Sequence, residues 1–142
     1  MFEDKRAING THGMVYINGE LIMEATALKA TVSMDFQDVP MCGDLSKHRK
    51  YSGRTCNGEI TITKINSRFA VLLSEAIKDG KTPSFTIASY LKDPDAYGAE
   101  RVVLKNCQFD TLSLADWSAG NIVTESQSFS FTDWEYTDLI NP

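Results

Sequence analysis

One stretch of the sequence, residues 20–39, alternates between apolar and polar side chains for far longer than an ordinary β-strand, and it constrains the fold most. From position 28 onward every second residue is apolar: Leu28, Ala30, Val32, Met34 and Phe36. Such alternation predicts a strand with one buried face. Because strands in globular proteins average ~5–6 residues, the sequence predicts strands that extend beyond their own domain.

The apolar positions of this stretch change phase near its start. Up to Ala27 they are odd-numbered, and from Leu28 they are even-numbered. A change of face within one β segment requires a bulge or a corner. Just upstream, Asn18-Gly19 lies between two apolar runs and favours a tight type I′ hairpin turn, since both central residues need positive φ.

The alternation recurs in segments 55–65, 83–91, 100–117 and 121–136, and its phase changes twice within 100–117. Together with the hairpin, these segments predict about seven mostly antiparallel strands, arranged as a β-sandwich or a partly open barrel. No linker, low-complexity tract or repeat of solenoid length interrupts the chain. Residues 1–142 are therefore expected to form a single domain, mainly β.

A single short α-helix is predicted between residues 66 and 80. Asn66 or Ser67 suits its N-terminal cap, and Gly80 suits the left-handed position after its last turn. The helix is expected to cover the core at one end of the sheets. Residues at helical spacing predict its core-facing side: Phe69, Leu72, Leu73, Ala76 and Ile77.

Between the two longest strands, residues 40–53 contain Pro40, two glycines and a cationic cluster, and are expected to form a loop of about 14 residues. Loops of this length are usually functional or mobile. In an acidic chain, contact between this cluster and an acidic neighbouring surface is favoured over nucleic-acid binding. The cluster consists of Lys47, His48, Arg49 and Lys50.

Residues 124–132, TESQSFSFT, place small hydroxyl side chains at every second position. A buried strand face would be apolar, and an ordinary solvated face would carry charges. The stripe predicts either a wetted surface that binds nothing or a surface that packs closely beneath a neighbour. Its members are Thr124, Ser126, Ser128, Ser130 and Thr132.

The net charge of −5 and pI near 5.0 argue against a nucleic-acid-binding module, which usually carries a basic excess. Three cysteines, Cys42, Cys56 and Cys107, do not make a disulfide framework and favour reduced thiols and a cytosolic origin. Charges occupy the N-terminal region where a secretory signal would be apolar. No apolar run approaches ~18 residues, so no membrane anchor is expected.

No residue set points to catalysis. Cys42, His48 and Cys56 fit no zinc-ligand spacing and lack a fourth ligand. The only histidines are His12, in a glycine-bounded turn, and His48, among cations, and neither is placed beside a nucleophile. No glycine-rich phosphate loop is present. The chain is therefore expected not to be an enzyme and to need no cofactor or metal.

Two further features have ordinary interpretations. The paired carboxylates Asp93/Asp95 and Asp133/Glu135 are expected to be solvated. Trp117 and Trp134 are expected to pack at the rim of the core, although two exposed tryptophans would also suit stacking on a sugar. The alternative function is therefore a small β-sandwich that binds carbohydrate or another ligand without self-assembly.

The order of these features resembles a known family. Gly10 and Gly13 precede the Asn18-Gly19-Glu20 hairpin, the long strand leads into the Gly/Lys/His loop, and the capped helix carries Phe-x-x-Leu-Leu. Glu100-Arg101-Val102, an Asp110 directly after Phe109, and the closing Phe-x-Phe-x-Asp-Trp-Glu of residues 129–135 follow. This ordered set resembles the tail tube proteins of contractile phage tails, defective prophages and phage-tail-like bacteriocins.

The resemblance implies a structural protein that forms hexameric rings, which stack into a hollow tube with a continuous inner β-barrel. The loop at 40–53 would reach toward adjacent rings. The residues expected at this ring-stacking interface are Met41, Gly43, Asp44, Lys47, His48, Arg49, Lys50 and Gly53. Implied partners are further copies of the chain, a sheath protein, a tape-measure protein in the lumen, and baseplate and tail-terminator proteins. DNA would pass without specific binding in a true phage. Assembly would occur in the bacterial cytoplasm, and the product would be a virion tail or a phage-tail-like particle.

A lumen needs walls that water wets and that present neither apolar patches nor excess positive charge to a passing polymer. The two longest strands offer such faces, and the hydroxyl stripe at 124–132 offers another. Of these, the long strands are the preferred candidates. The residues expected to face the lumen are Thr31, Ser33, Asp35, Asn57, Glu59, Thr61 and Thr63.

Overall fold

The computed structural model describes residues 3–141, which form eight strands, one α-helix and two short 3-10 turns. The strands are β1 Gly13–Ile17, β2 Glu20–Leu21, β3 Ala25–Val39, β4 His48–Thr63, β5 Phe85–Lys92, β6 Ala99–Phe109, β7 Thr124–Ser130 and β8 Asp133–Asp138. The helix is α1 Arg68–Lys78, and the 3-10 turns are Asp4–Arg6 and Gly10–His12. The predicted fold class, mainly antiparallel β with one short helix, is confirmed.

Two sheets share one strand. The first sheet contains β2, β1, β5, β6 and β8, and the second contains the end of β6 followed by β7, β4 and β3. Strand β6 passes between them because it is irregular at Asn106, whose φ is 55°. Residues up to Lys105 pair with β5 and β8, and Cys107 still pairs with Phe85 of β5, whereas Gln108 and Phe109 pair with β7.

The hairpin and the first bulge follow the sequence closely. Asn18 and Gly19 both have positive φ, 52° and 84°, as a type I′ turn requires. The register of β3 on β4 shifts between Ala25 and Ala27, where the apolar phase changes. The long stretch is not one strand, however. The chain turns a corner at Met23 and Glu24 between β2 and β3, where the Ala25 amide donates to the Ile22 carbonyl at 3.3 Å.

Two predicted boundaries are wrong. The expected loop 40–53 is shorter, since β4 already begins at His48 and residues 48–53 pair with the end of β3. The connecting loop is therefore 40–47. The expected strand 100–117 ends at Phe109, and residues 111–117 have no regular structure.

Aromatic rings form the centre of the core. Phe109 lies 5.4–5.9 Å, centroid to centroid, from Phe69, Phe85 and Phe129 in edge-on geometry. Phe69 is the contribution of α1, so the helix covers the core at this point. Edge-to-face aromatic pairs add to the free energy gained by burying the rings.

The ends of α1 form largely as expected. The Asn66 side chain accepts a hydrogen bond from the Arg68 amide at 3.2 Å. Gly80 has φ 70°, and the Gly80 and Lys81 amides bond back to the last turn, which is a Schellman motif. On the predicted core face, Phe69 and Leu73 are buried and Leu72 and Ala76 are half-buried. Ile77, in the last turn of the helix, is exposed instead.

A buried ion pair fastens the start of α1 to the corner before β3. The Arg68 Nε lies 2.6 Å from Glu24 Oε1, and its Nη1 lies 2.9 Å from Glu20 Oε1. The hydrogen bond from Arg68 holds the pKa of Glu24 below its ordinary value. Hydrogen bonds from Glu24 and Glu20 in turn raise the pKa of Arg68.

Substitution Glu24→Gln is expected to lower the free energy of unfolding at neutral pH by about 1–3 kcal/mol, because it removes the charged acceptor from a buried pair. A carboxyl with a lowered folded-state pKa stabilises the fold above its unfolded pKa, and that stability is lost as pH falls through the folded pKa. Urea unfolding of wild type should therefore show the Glu24 contribution shrinking below about pH 5.

The matched control is Glu20→Gln, since Glu20 is exposed and should contribute no more than about 1 kcal/mol. Equal losses in the two variants, or a Glu24→Gln loss that persists unchanged at acid pH, would contradict the assignment.

One expected solvated acid is structural. Asp93 is buried, and its carboxylate accepts hydrogen bonds from the Asn9 and Asp95 amides, both at 2.9 Å. The Asn9 and Asp95 amides lower the pKa of Asp93. The prediction for Asp93 was wrong because its partner Asn9 is distant in sequence. Asp133 and Glu135 are exposed, and Glu135 pairs with Lys105 at 3.0 Å.

The three thiols are free. Cys56 and Cys107 are buried, and burial raises the pKa of Cys107 to about 11. Cys42 is exposed in the 40–47 loop. Within residues 3–141, no helix has the length and apolar character needed to cross a lipid bilayer.

Candidate assembly surface

The second sheet has one continuous polar face built by three strands. Directly paired residues of neighbouring strands lie on the same face. Thr31 of β3 pairs with Asn57 of β4, which pairs with Ser130 of β7. One register step away, Lys29, Glu59 and Ser128 form the same kind of row. This surface is called the polar face below, and its members are Lys29, Thr31, Ser33, Asp35, Thr55, Asn57, Glu59, Thr61, Thr63, Thr124, Ser126, Ser128 and Ser130.

Four members of the hydroxyl stripe lie on β7 and share one surface with the preferred lumen candidates of β3 and β4. The fifth, Thr132, lies beyond the end of β7 and accepts a hydrogen bond from the Asn106 side chain at 3.2 Å. The Thr61 and Ser126 hydroxyls are hydrogen-bonded to each other across β4 and β7 at 3.2 Å. The alternate residues of β7 point into the core, where Glu125, Gln127 and Phe129 are buried. The two sequence hypotheses about a wetted surface thus describe neighbouring parts of the polar face.

Water can satisfy the whole polar face. Its ionisable members are the carboxylates Asp35 and Glu59 and the ammonium of Lys29, and the rest are hydroxyls and one amide. Thr31, Ser33, Asp35, Asn57 and Glu59 are exposed, and Thr61 and Thr63 are half-buried. The face offers no apolar ring or cationic cluster that would hold a passing chain.

Close packing behind the polar face fixes its geometry. Gly58 lies opposite Phe129, and a Cβ at Gly58 would collide with the Phe129 ring and lie 2.7 Å from the Lys29 carbonyl oxygen. Only glycine leaves room for the phenyl ring between the strands. The pairing of β4 with its neighbours at Asn57 and Glu59 therefore depends on a glycine at position 58.

Beyond the core, the β3–β4 hairpin projects from the body. Past Val32 on β3 and before Cys56 on β4, side chains on both faces are exposed, and only Gly53 is half-buried. Residues 33–55 are called the projecting hairpin below. The paired part of β3 beyond Val32 extends roughly 20 Å at ~3.3 Å per residue.

The projecting hairpin exposes large apolar side chains. The Phe36 and Tyr51 rings pack edge-on with their centroids 6.2 Å apart. The Arg49 guanidinium carbon lies 4.2 Å from the centroid of the Phe36 ring. The 40–47 loop forms the tip of the projecting hairpin. There the Met41 side chain is 53% exposed and the Leu45 side chain is fully exposed. Contiguous exposed apolar surface rimmed by charge marks a protein–protein contact site.

The tip is shaped by local polar contacts. The His48 Nε2 lies 2.6 Å from Asp44 Oδ2, and the Ser46 amide donates to Asp44 Oδ1 at 2.9 Å. The hydrogen bond with His48 lowers the pKa of Asp44. Gly43 has φ 77°, which a tight turn requires and other residues rarely adopt.

The residues predicted to make contacts with a neighbour are divided between two elements. Met41, Gly43, Asp44 and Lys47 lie in the 40–47 loop. His48, Arg49, Lys50 and Gly53 lie on the first part of β4. All of them belong to the projecting hairpin, and its cations remain exposed.

The outer edge of β3 is open. Within residues 3–141, the ladder of β3 is formed with β4 alone, although β3 has 15 residues. Its second row of backbone amides and carbonyls faces outward. A long exposed edge is a template for pairing with another chain.

The tryptophans do not form an open stacking platform. Trp134 is half-buried, and its ring centroid lies 6.5 Å from that of Phe131. The Arg54 guanidinium carbon covers the Trp134 ring, 4.8 Å from its centroid. Trp117 is exposed in the irregular segment after β6. Sequence reasoning did not anticipate the exposed apolar residues of that segment, because its alternation predicted a strand.

Comparison with known proteins identifies a family for the chain. The family model described as "Phage tail tube protein" matches residues 1–138. A curated relative, the phage-like element PBSX protein XkdM of Bacillus subtilis (strain 168), is 26% identical over 139 residues, which cover 96% of this chain and 95% of the relative.

Solved structures share the fold at lower identity. The tube-terminating cap of the anti-feeding prophage superposes with a TM-score of 0.75 and 11% identity, covering 94% of this chain and 92% of that one. A chain of the PVC sheath–tube complex in its extended state gives a TM-score of 0.73 and 10% identity, covering 94% and 93%.

Proposed function

Because this chain belongs to the phage tail tube protein family, we propose that it forms hexameric rings that stack into the hollow inner tube of a contractile tail. The family consists of structural proteins, and this chain is a structural tail tube protein and not an enzyme. The proposal concerns how its surfaces serve that role.

The observation that carries the proposal is the polar face, which is continuous over three strands and lies beside the open edge of β3. A ring of such sheets, closed edge to edge, leaves no strand edge exposed to solvent. Hydroxyls and carboxylates then line a bore that holds water. DNA or another polymer passes because Asp35 and Glu59 repel phosphate and no cationic cluster retains it.

The projecting hairpin supports stacking. It carries Phe36, Tyr51, Met41 and Leu45 away from the core, so in an isolated subunit these side chains remain in water. Contact with the next ring buries them, and burial of apolar surface contributes roughly 25 cal/mol per Å². The exposed cations at positions 47–50 suit an acidic neighbouring surface in a chain whose net charge is −5.

The proposed partners follow from a tube of this kind. Further copies of the chain form the rings, a sheath protein surrounds them, and a tape-measure protein occupies the bore during assembly. Baseplate and terminator proteins cap the ends. Assembly takes place in the bacterial cytoplasm, and the product is part of a virion tail or a phage-tail-like particle.

Electron microscopy of the purified, concentrated protein tests the proposal. We expect rings or tubes with a stain-filled bore and six-fold symmetry in end views. Featureless monomers at every concentration and salt condition, or solid filaments without a bore, would refute it. Analytical ultracentrifugation of the same samples separates a monomer from a ring in solution.

A further inference from the structure

The segment after β6, residues 111–117, has the sequence of a strand but not its structure. Leu112 and Leu114 alternate with the small residues Ser113 and Ala115, and the alternation ends before Asp116 and Trp117. It contains no proline, so every residue carries an amide donor. Yet the last ladder bond on this side is that of the Asp110 amide to the Ser128 carbonyl, at 2.8 Å. Leu114 and Trp117 are exposed.

This segment continues the strand that borders the second sheet. The sheet runs β6, β7, β4, β3, and β6 pairs with β7 only at Gln108 and Phe109. One border is therefore the end of β6 together with the free edge of β7 beyond it, and the other border is the open edge of β3. Residues 111–117 extend the first border, and β3 forms the second. One subunit therefore offers an unpaired strand sequence at one border and an unpaired strand edge at the other.

Strand direction makes the two borders compatible. Each neighbouring pair in the second sheet is antiparallel: β6 with β7, β7 with β4, and β4 with β3. The direction of β6 is thus opposite to that of β3. Rotation about an axis along the strands preserves these directions, so the border of one copy meets β3 of the next in antiparallel orientation. The alternation of directions continues without interruption.

The side-chain pattern is also compatible. Leu112 packs partly against the core, so a strand formed here would place Leu114 on the same, apolar side. Ser113 and Ala115 would then face the side of Thr31 and Ser33 on the neighbouring β3. These two small side chains would continue the polar face without adding a charge or a large apolar group. The alternation ends at Ala115, and Trp117, which would fall on the polar side, lies outside the proposed strand.

We propose that residues 111–116 become a β-strand by antiparallel pairing with the open edge of β3 in a second copy of this chain. The inference rests on the proposed function, because ring closure brings the two borders together. It assigns the lateral contact of the ring to this pair of segments. The irregular conformation of 111–117 in the single subunit is the state in which that partner is missing.

The first test compares Ser113→Pro with Ser113→Ala. Proline removes the amide donor and cannot sit within a paired strand, whereas alanine keeps the backbone unchanged. We expect both variants to have the melting temperature of the wild-type subunit, since residue 113 lies outside the strands of the subunit. Ser113→Ala should assemble normally, and Ser113→Pro should form no rings or tubes.

The second test needs no substitution. Amide hydrogen exchange of residues 112–116, measured by mass spectrometry, should be close to that of an unstructured chain in the subunit. In assembled tubes it should slow on the order of 100-fold or more, as for paired strands. Peptides covering the centre of β3 should gain protection in parallel, since their outward-facing amides acquire partners.

The outcomes separate this inference from the proposed function. Wild-type tubes in which 112–116 still exchange freely, or normal tubes from Ser113→Pro, would overturn the strand pairing and leave the tube intact. If the wild-type protein forms no tubes, the proposed function fails and the inference fails with it. If Ser113→Pro does not fold, the exchange measurement on wild type decides.

Discussion

Replacing residues 40–47 by Asn-Gly is expected to abolish tube formation while leaving the subunit folded. Val39 and His48 are directly paired, so a two-residue type I′ turn can join them without moving either strand. The change removes Met41 and Leu45, the apolar side chains at the tip. Without them, a ring loses the contact through which it stacks on the next.

The measurement combines thermal unfolding with electron microscopy. The melting temperature should stay within a few degrees of wild type, because the tip contacts no core residue and surface changes rarely cost more than ~0.5 kcal/mol. Val71→Ser is the matched control, since Val71 is equally apolar and exposed but lies on α1, and it should assemble normally. Tubes of ordinary length from the turn replacement would contradict the role of the tip.

Phe129→Ala is expected to lower the free energy of unfolding by about 3–5 kcal/mol, the range for deletion of a buried aromatic ring. The ring is fully buried, contacts Phe109 and Phe131, and fills the space above Gly58. A natural domain has only about 5–15 kcal/mol of stability in total. The substitution therefore removes a large part of it.

Denaturant unfolding of Phe129→Ala and its neighbour Ser128→Ala separates core packing from the polar face. Ser128 is exposed on the polar face, and its substitution should change the stability by less than about 0.5 kcal/mol. Losses of similar size in both variants, or a Phe129→Ala loss below about 1 kcal/mol, would contradict the inward and outward assignment of β7.

The parts of the fold predicted from sequence are those fixed by local chemistry. The Asn18-Gly19 turn depends on two residues that tolerate positive φ, and the Gly80 cap depends on one. The bulge between Ala25 and Ala27 follows from a change in apolar phase. Each signal lies within a few residues of the structure that it specifies.

The parts that sequence missed depend on distant partners. Residues 48–53 resemble a loop because cations and Gly53 disfavour a strand, yet β3 pairs with them. Residues 111–117 resemble a strand, yet they form no ladder in the described subunit. Asp93 and Glu24 are buried acids whose partners, Asn9 and Arg68, are 84 and 44 residues away.

The candidate site was predicted in pieces. Alternation assigned hydroxyls to one side of residues 124–132 and polar residues to one side of each long strand. Only the register shows that these sides are coplanar, through pairs such as Glu59 with Ser128. Register is set by bulges and by the fit of Phe129 over Gly58, which no single segment reveals.

The most direct measurement of the central claim is a helical cryo-EM reconstruction of assembled tubes at side-chain resolution. The bore should be lined by Asn57, Thr61 and Ser128, with the projecting hairpin seated on the adjacent ring. Density that placed these three side chains on the outer wall, or against protein with no bore beside them, would contradict it.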